Sequence, residues 1–455
     1  MRTRAAMAVR HKSAFVLVVI VAALSMIALI ILAPVLFHMD RYRAEVISYL
    51  QEKTGKPVEI GHLALTLFPS LSIRVDDFGL KTPPGFPSGY FVKARRIDAT
   101  LDARALLHWQ VVIKSLKLNE AVINLISDPE KGWNFENSTP SKTSEKVSPG
   151  GAHTSFWGVI PAVEIAGGQL VASYLLPSNE PAAIIFEAHN VSSKLEQVDL
   201  GAFMDPSSSS SAGQGDLKAD SVRFVSIQGT NVKSKVRLMA KQVFFADGAL
   251  EAYGGRGAGD LSFNLAGRDA SFSANAHMDG VDVAHLLAAF PQGRGKMTGK
   301  MGGTMNFAGE IEHSRDPLAE IHGAGNLTVR DGQAPSLKLN ASVMKLARFN
   351  NLGPAAQNPD SFSSLSADLE MAHQRISSRQ INIVGYGVNA QCSGSLDVTG
   401  AGSLDYQGVA EILAKQGFFT NTMARLYGAT SKNRKLSFPF RVSGTIDNPK
   451  FSIAH

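Results

Sequence analysis

Residues 62–75 read HLALTLFPSLSIRV. Leu63, Leu65 and Leu67 alternate with small or polar residues, Phe68-Pro69-Ser70 interrupts, and Leu71, Ile73 and Val75 resume the alternation. Successive side chains of a strand point to opposite faces, so a period of two gathers each aliphatic triplet on one side of its strand. Proline has no N–H for a ladder and a fixed φ, which makes Phe68-Pro69-Ser70 a turn. The stretch predicts a β-hairpin with one apolar face.

Toward the C-terminus the same period returns at Ile97, Ala99 and Leu101, at Leu116 and Leu118, and at Ile123 and Leu125. Asp76-Asp77-Phe78-Gly79, Pro83-Pro84-Gly85 and Asn119-Glu120 separate these runs with turn formers or polar residues. A meander of antiparallel strands follows. Its apolar positions, Leu63, Leu65, Leu67, Leu71, Ile73, Val75, Ile97, Leu101, Leu116, Leu118, Ile123 and Leu125, are the candidate contact surface for an apolar ligand.

Toward the N-terminus the period becomes helical. Tyr42, Val46, Tyr49 and Leu50 share one face behind Asp40 as N-cap, and Gly55 with Pro57 supplies the stop. Upstream, residues 14–37 carry no charge over 24 positions. As a helix they would reach about 36 Å, enough for a hydrocarbon core of about 30 Å. The exit Pro34-Val35-Leu36-Phe37-His38 lacks a small-x-small cleavage site, so the reading is an uncleaved transmembrane helix. Arg2, Arg4, Arg10 and Lys12 precede it, against Arg41 and Arg43 beyond. The positive-inside rule puts residues 1–13 in the cytoplasm and the bulk outside, in the periplasm of a bacterium with two membranes. Arg41, Tyr42, Arg43 and Tyr49 are candidates for the membrane interface.

The remainder divides into a helix-plus-β module at 38–136, a flexible linker at 137–152 (NSTPSKTSEKVSPGGA) and a β-rich region at 153–455. Within the last, the tract 206–215, PSSSSSAGQG, reads as a mobile loop. Alternation continues at Val222-Phe224, Leu261-Phe263-Leu265, Phe272-Ala274-Ala276-Met278, Met301-Met305-Phe307, Leu327-Val329, Ile381-Ile383 and Leu396-Val398. Short helical patterns fall at 283–290, 336–349 and 415–427, too few to cover so much sheet. The apolar face must therefore be hidden by a second sheet or by a guest that is not protein, and periodicity alone leaves both open.

Composition narrows the function classes. Charged residues make up 18% of the 455 and Gly accounts for 41, a balance closer to a turn-rich β protein than to a helical bundle. The net charge of +6 is dispersed rather than gathered with aromatics, which argues against a nucleic-acid partner. Cys392 is the single cysteine, so no intramolecular disulfide or cysteine-based zinc cluster can form. Glu310-Ile311-Glu312-His313 reads as a solvated loop. Gly254-Gly255-Arg256-Gly257-Ala258-Gly259-Asp260 and the stretch from Gly295 to Met301 miss the spacing of phosphate loops and read as a turn between strands and a hairpin, respectively. With no nucleophile elbow either, the sequence points to no enzyme, no catalytic residue, no cofactor and no metal.

Several motifs resemble those of the AsmA family. They are Asp40-Arg41-Tyr42-Arg43, the stretch from Lys53 to Gly61 (KTGKPVEIG), Leu67-Phe68-Pro69-Ser70-Leu71, Lys131-Gly132-Trp133-Asn134-Phe135, Asp247-Gly248 with Ala252-Tyr253-Gly254-Gly255, Val281-Asp282-Val283, and the closing SGTIDNPKF. The resemblance implies an inner-membrane protein of mainly β structure. After the transmembrane helix it would form an elongated, curved antiparallel β-groove of the chorein-like, β-taco type with a few short helices. It also implies phospholipid or another acyl-chain lipid as partner, held along the groove, and a role in outer-membrane lipid homeostasis. The alternative is a periplasmic scaffold or assembly factor for outer-membrane proteins, acting through strand edges. At about 4.8 Å per strand, some twenty strands would reach on the order of 100 Å, short of a whole periplasm.

Overall fold

The structure, a computed structural model, describes residues 39–136, 158–176, 183–335, 360–413 and 430–453, apart from positions 69, 107, 109, 268, 291, 292, 315, 317, 318, 387, 433 and 434. The expected membrane span at 14–37, the linker at 137–152 and the helical patterns at 336–349 and 415–427 lie outside the described residues. Among those described, no helix is long and apolar enough to cross a membrane.

Among the described residues the chain is mainly β, with short helices only. A 3-10 turn (Met39–Tyr42) and α1 (Arg43–Thr54) lead into β1 (Val58–Glu59), β2 (His62–Thr66), β3 (Ser72–Lys81) and β4 (Tyr90–Leu101). Next come α2 (Ala103–Leu106), β5 (Ile113–Asp128), β6 (Gly132–Trp133), β7 (Val159–Tyr174), β8 (Ala183–Asp199) and α3 (Leu200–Met204). There follow β9 (Ser211–Phe224), β10 (Ile227–Met239), β11 (Gln242–Ala252), β12 (Gly255–Asn264), β13 (Ala270–Asp282) and α4 (Val283–Ala288). The series ends with β14 (Thr298–Ile311), β15 (His322–Gln333), β16 (Ser361–Ala372), β17 (Arg375–Gly385), β18 (Val388–Asp397), β19 (Ser403–Leu413), β20 (Thr430–Lys432), β21 (Lys435–Thr445) and β22 (Pro449–Ile453). Two compact units form: residues 1–124, 134–169 and 192–201 make the first, and residues 125–133, 170–191 and 202–455 the second.

In the first unit α1 ends as expected. Gly55 takes the left-handed conformation at φ +65° and its N–H donates to Gln51 O at 2.9 Å, a geometry that a side chain at this position would strain. Its start differs from the expectation: the N-cap position is Tyr42, without a side-chain cap bond, because the 3-10 turn carries the helix start beyond the reach of Asp40. Asp40 Oδ1 instead accepts the N–H of Leu63 at 3.1 Å and lies 3.3 Å from His62 Nδ1, tying the helix approach to β2. Both β1 and β2 pair with β3, β3 with β4 and β4 with β5, all antiparallel.

The second unit is a meander. From β9 to β19 each strand pairs antiparallel with the next, β19 then pairs with β21, and β21 carries β20 and β22. Of the glycine-rich stretch expected as a turn only Gly254 serves one: Tyr253 at φ +50° and Gly254 at φ +73° form the two-residue connection between β11 and β12, and Gly255 to Asp260 belong to β12. The tract at 206–215 is only partly a loop, since β9 begins at Ser211 and Ala212 has no exposed surface. Its small residues face large ones, Gly213 opposite Leu238 and Gly215 opposite Val236, which draws the segment into the ladder. His313 also departs from the solvated-loop reading, with a side chain only 8% exposed.

Candidate functional site: the apolar face

In the first unit the register assembles most of the aliphatic positions into rows. Leu63 lies opposite Val75, Val75 opposite Ile97 and Ile97 opposite Leu118. Beside them run Leu65, Ile73, Ala99 and Leu116. Leu63 is buried, and the other members are half-buried. Leu71 and Leu101 meet at the strand ends through a 2.9 Å bond from Leu101 N–H to Leu71 O, and Leu101 is buried. Leu67 lies in the β2–β3 connection, Ile123 pairs with Val92, and Leu125 falls among the residues of the second unit. The intervening positions are charged. Arg74 Nε is 3.1 Å from Asp98 Oδ1, Arg96 Nε 2.9 Å from Asp76 Oδ1 and Lys117 Nζ 2.9 Å from Glu164 Oε1. This sheet is apolar on one face and ionic on the other, as its period of two requires.

Around α1 the interface candidates are tied down in part. Arg41 Nη2 donates to Tyr42 Oη at 2.9 Å, and Arg43 Nη1 to Gly61 O at 2.6 Å. Tyr42 and Tyr49 are exposed, with Lys53 Nζ 5.9 Å from the Tyr49 ring. Near the end of α1, burial among apolar neighbours lowers the pKa of Lys56. Glu59 is held below the usual carboxylate range by hydrogen bonds from Lys81 and Tyr90.

Within the second unit the apolar face has two different stretches. One row runs Val281, Met301, Val329, Leu365, Ile383, Ala390, Ala410, Phe438 across β13 to β21. It belongs to the main core, where Ala410 has no exposed surface, Val281 and Phe438 are 3% exposed, and Leu286 and Leu287 of α4 pack alongside. Nearby, Phe440 is 1% exposed, and burial pushes the Cys392 thiol up to about 11 and Tyr406 up to about 12.

A second row, nearer the other ends of β13 to β16, runs Phe245, Leu261, Ala274, Phe307, Gly323, Met371 across β11 to β16. None of these side chains is fully buried, and they line an open groove of about 750 Å³. That volume lies within the range of ligand sites, about 300–1,000 Å³. Gly323 keeps space beside Phe307: a Cβ there would stand 3.1 Å from Phe307 Cδ1 and 2.3 Å from Asn306 O. Alternate positions such as Ser273, Asn275 and Asn306 are exposed, and they line the same groove together with Arg237, Asp260 and Glu370.

Leu261, Ala274 and Phe307 stand in alternating stretches of the sequence, whereas the ligand candidates expected from it lie in the N-terminal strands. Phe245 and Met371 are less evident from the sequence. Phe245 follows Phe244, which blurs the alternation, and Met371 stands near the end of β16. Such a surface supplies dispersion contact and an escape from water, with no polar chemistry required.

Residues 10–173 match the model of the AsmA family, which supports the assignment that the motifs suggested. No curated protein and no solved structure matches the chain.

Proposed function

We propose that this protein, whose residues 10–173 match the AsmA family model, binds an acyl-chain lipid, such as a phospholipid, on the apolar face of its sheet and takes part in moving it within the cell envelope. Residues 14–37 would anchor it in the inner membrane, with the bulk of the chain in the periplasm, forming a groove of the chorein-like kind. The observation that carries the reading is the row Phe245, Leu261, Ala274, Phe307, Met371, apolar at every position yet left half-exposed beside an open groove. Each methylene moved from water onto such a surface contributes about 0.8 kcal/mol. A straight chain crossing several strands can accumulate that gain at positions 4.8 Å apart, about the spacing of the strands.

Site-specific photocrosslinking in intact cells tests this. A photoreactive side chain at Leu261 or Phe307 should give phospholipid adducts, while one at His277 or Thr304, exposed alternate positions that do not line the groove, should give few. Equal yields at the two pairs of positions would defeat the proposal. Protein adducts in place of lipid at Leu261 and Phe307 would favour the scaffold reading.

A further inference from the structure

The end of β5 belongs to the second unit, and there it is tied to two loops remote in sequence. Ser127 Oγ lies 2.9 Å from His313 Nε2, and His313 Nδ1 lies 2.6 Å from Asp269 Oδ1. Tyr174, at the end of β7, sets its ring edge-on to the imidazole, with centroids 5.9 Å apart at 86°. Its hydroxyl donates to Ser314 O at 2.7 Å. Burial first, and then the charge of Asp316, raise the pKa of Tyr174 and keep that donor protonated. A neutral imidazole satisfies both neighbours when Nδ1–H donates to Asp269 and Nε2 accepts the Ser127 hydroxyl proton.

Serine, histidine and aspartate in this order have the connectivity of a nucleophile, its base and an orienting acid. Access argues against that use. Ser127 is 3% exposed, and the groove lining includes neither Ser127 nor His313, so a substrate carbonyl has no approach to Oγ from it. What the three side chains accomplish is a tie between backbone segments. Asp269 immediately precedes β13, and His313 follows the end of β14 by two positions. Beside them Leu265, Ala270 and Ile311 are 8%, 5% and 5% exposed. Phe263 and Phe272 come next along the strands, their rings 6.5 Å apart, with Phe224 5.6 Å from Phe272. Two residues further along β13 and β12 stand Ala274 and Leu261 of the open row.

We propose that Ser127, His313 and Asp269, with Tyr174 bonded to Ser314, form a strap that holds the ends of β5 and β7 over the β12–β14 end of the apolar face and limits entry to the groove from that side. The strap rests on the lipid reading for what would pass beneath it, but entry is measured with a small thiol reagent in place of a lipid. Cys392 is the single native cysteine, and its raised pKa makes it a slow background thiol, so a reporter cysteine can be read against it.

The full-length chain in its native membranes carries Ala270→Cys beside the strap or, separately, Ala410→Cys in the sealed row, and is alkylated with N-ethylmaleimide. Ser127→Ala and His313→Leu should each speed alkylation at position 270 by about tenfold, the shift in an opening equilibrium when one to two hydrogen bonds are lost. The rate at position 410 should stay unchanged. Unchanged rates at 270 in both variants overturn the strap, and so does equal acceleration at 270 and 410, which would mark general destabilisation. Labelling of Ser127 by a fluorophosphonate in the unaltered chain overturns it too, because the hydroxyl would then be open to solvent. Should lipid crosslinking at Phe307 fail, these rates still decide the strap by themselves.

Discussion

Two stretches of one sheet face in the second unit share strands β13 to β16 and the same apolar alphabet, and yet they end in different states. Val281, Met301, Val329, Ile383, Ala390, Ala410 and Phe438 are buried, whereas Phe245, Leu261, Ala274, Phe307 and Met371 remain half-exposed. Both rows follow from the period of two, so hydrophobicity along the strand does not separate them. The difference lies in what packs on top: α4 brings Leu286 and Leu287 to the first row, while the second opens on a groove of about 750 Å³. An apolar row that the protein covers contributes stability, and one left uncovered costs solvation unless a guest supplies the missing contacts.

Truncation should separate the two stretches most widely. Phe440→Ala removes a ring that is 1% exposed and should cost about 3–5 kcal/mol in chemical denaturation. Phe307→Ala, at a half-exposed site, should cost less than about 1.5 kcal/mol. Comparable losses at both positions would erase the distinction between them.

Thiol chemistry sharpens the same contrast. Cys392 has a folded-state pKa of about 11, above the free-thiol value of about 8.5. The sign follows: its neutral form favours the fold fully below pH about 8.5, and that contribution is lost as the pH rises toward 11. At pH 8 Cys392 should react with iodoacetamide about two hundredfold more slowly than a cysteine placed at Ala274 in the open row, as thiolate fractions set by about 11 against about 8.5 imply. Similar rates for the two thiols would contradict the burial assigned to Cys392.

The smallest effect belongs to the charged face of the first unit. Arg74→Ala breaks a half-exposed pair with Asp98 and should change stability by only about 0–1 kcal/mol, less at high salt. A loss several times larger, measured by denaturant titration, would mean that this face is packed and not solvated.

Much of this architecture is legible in residues 62–75. Leu63, Leu65, Ile73 and Val75 do meet across β2 and β3, because the strand period is a local property. The helix stop at Gly55 is legible for the same reason. Neither the open row nor the strap could be read that way. Which apolar row stays uncovered depends on how strands far apart in sequence register, and on a small residue such as Gly323 standing next to Phe307. His313 looked solvated because its partners Asp269 and Ser127 lie 44 and 186 positions away. Asp40 misled for a similar reason, since a side chain suited to capping a helix also suits the N–H of Leu63, 23 positions on.

Paired charge insertion, with folding and lipid occupancy measured on the same samples, tests the central claim most directly. Leu261→Asp should leave the unfolding transition close to that of the unaltered chain while abolishing phospholipid crosslinking from Phe307. Val329→Asp, in the covered row, should destabilise the second unit by several kcal/mol, as an unpaired buried carboxylate does. If Leu261→Asp instead unfolds the protein as Val329→Asp does, the face is closed at both places and no guest has room on it.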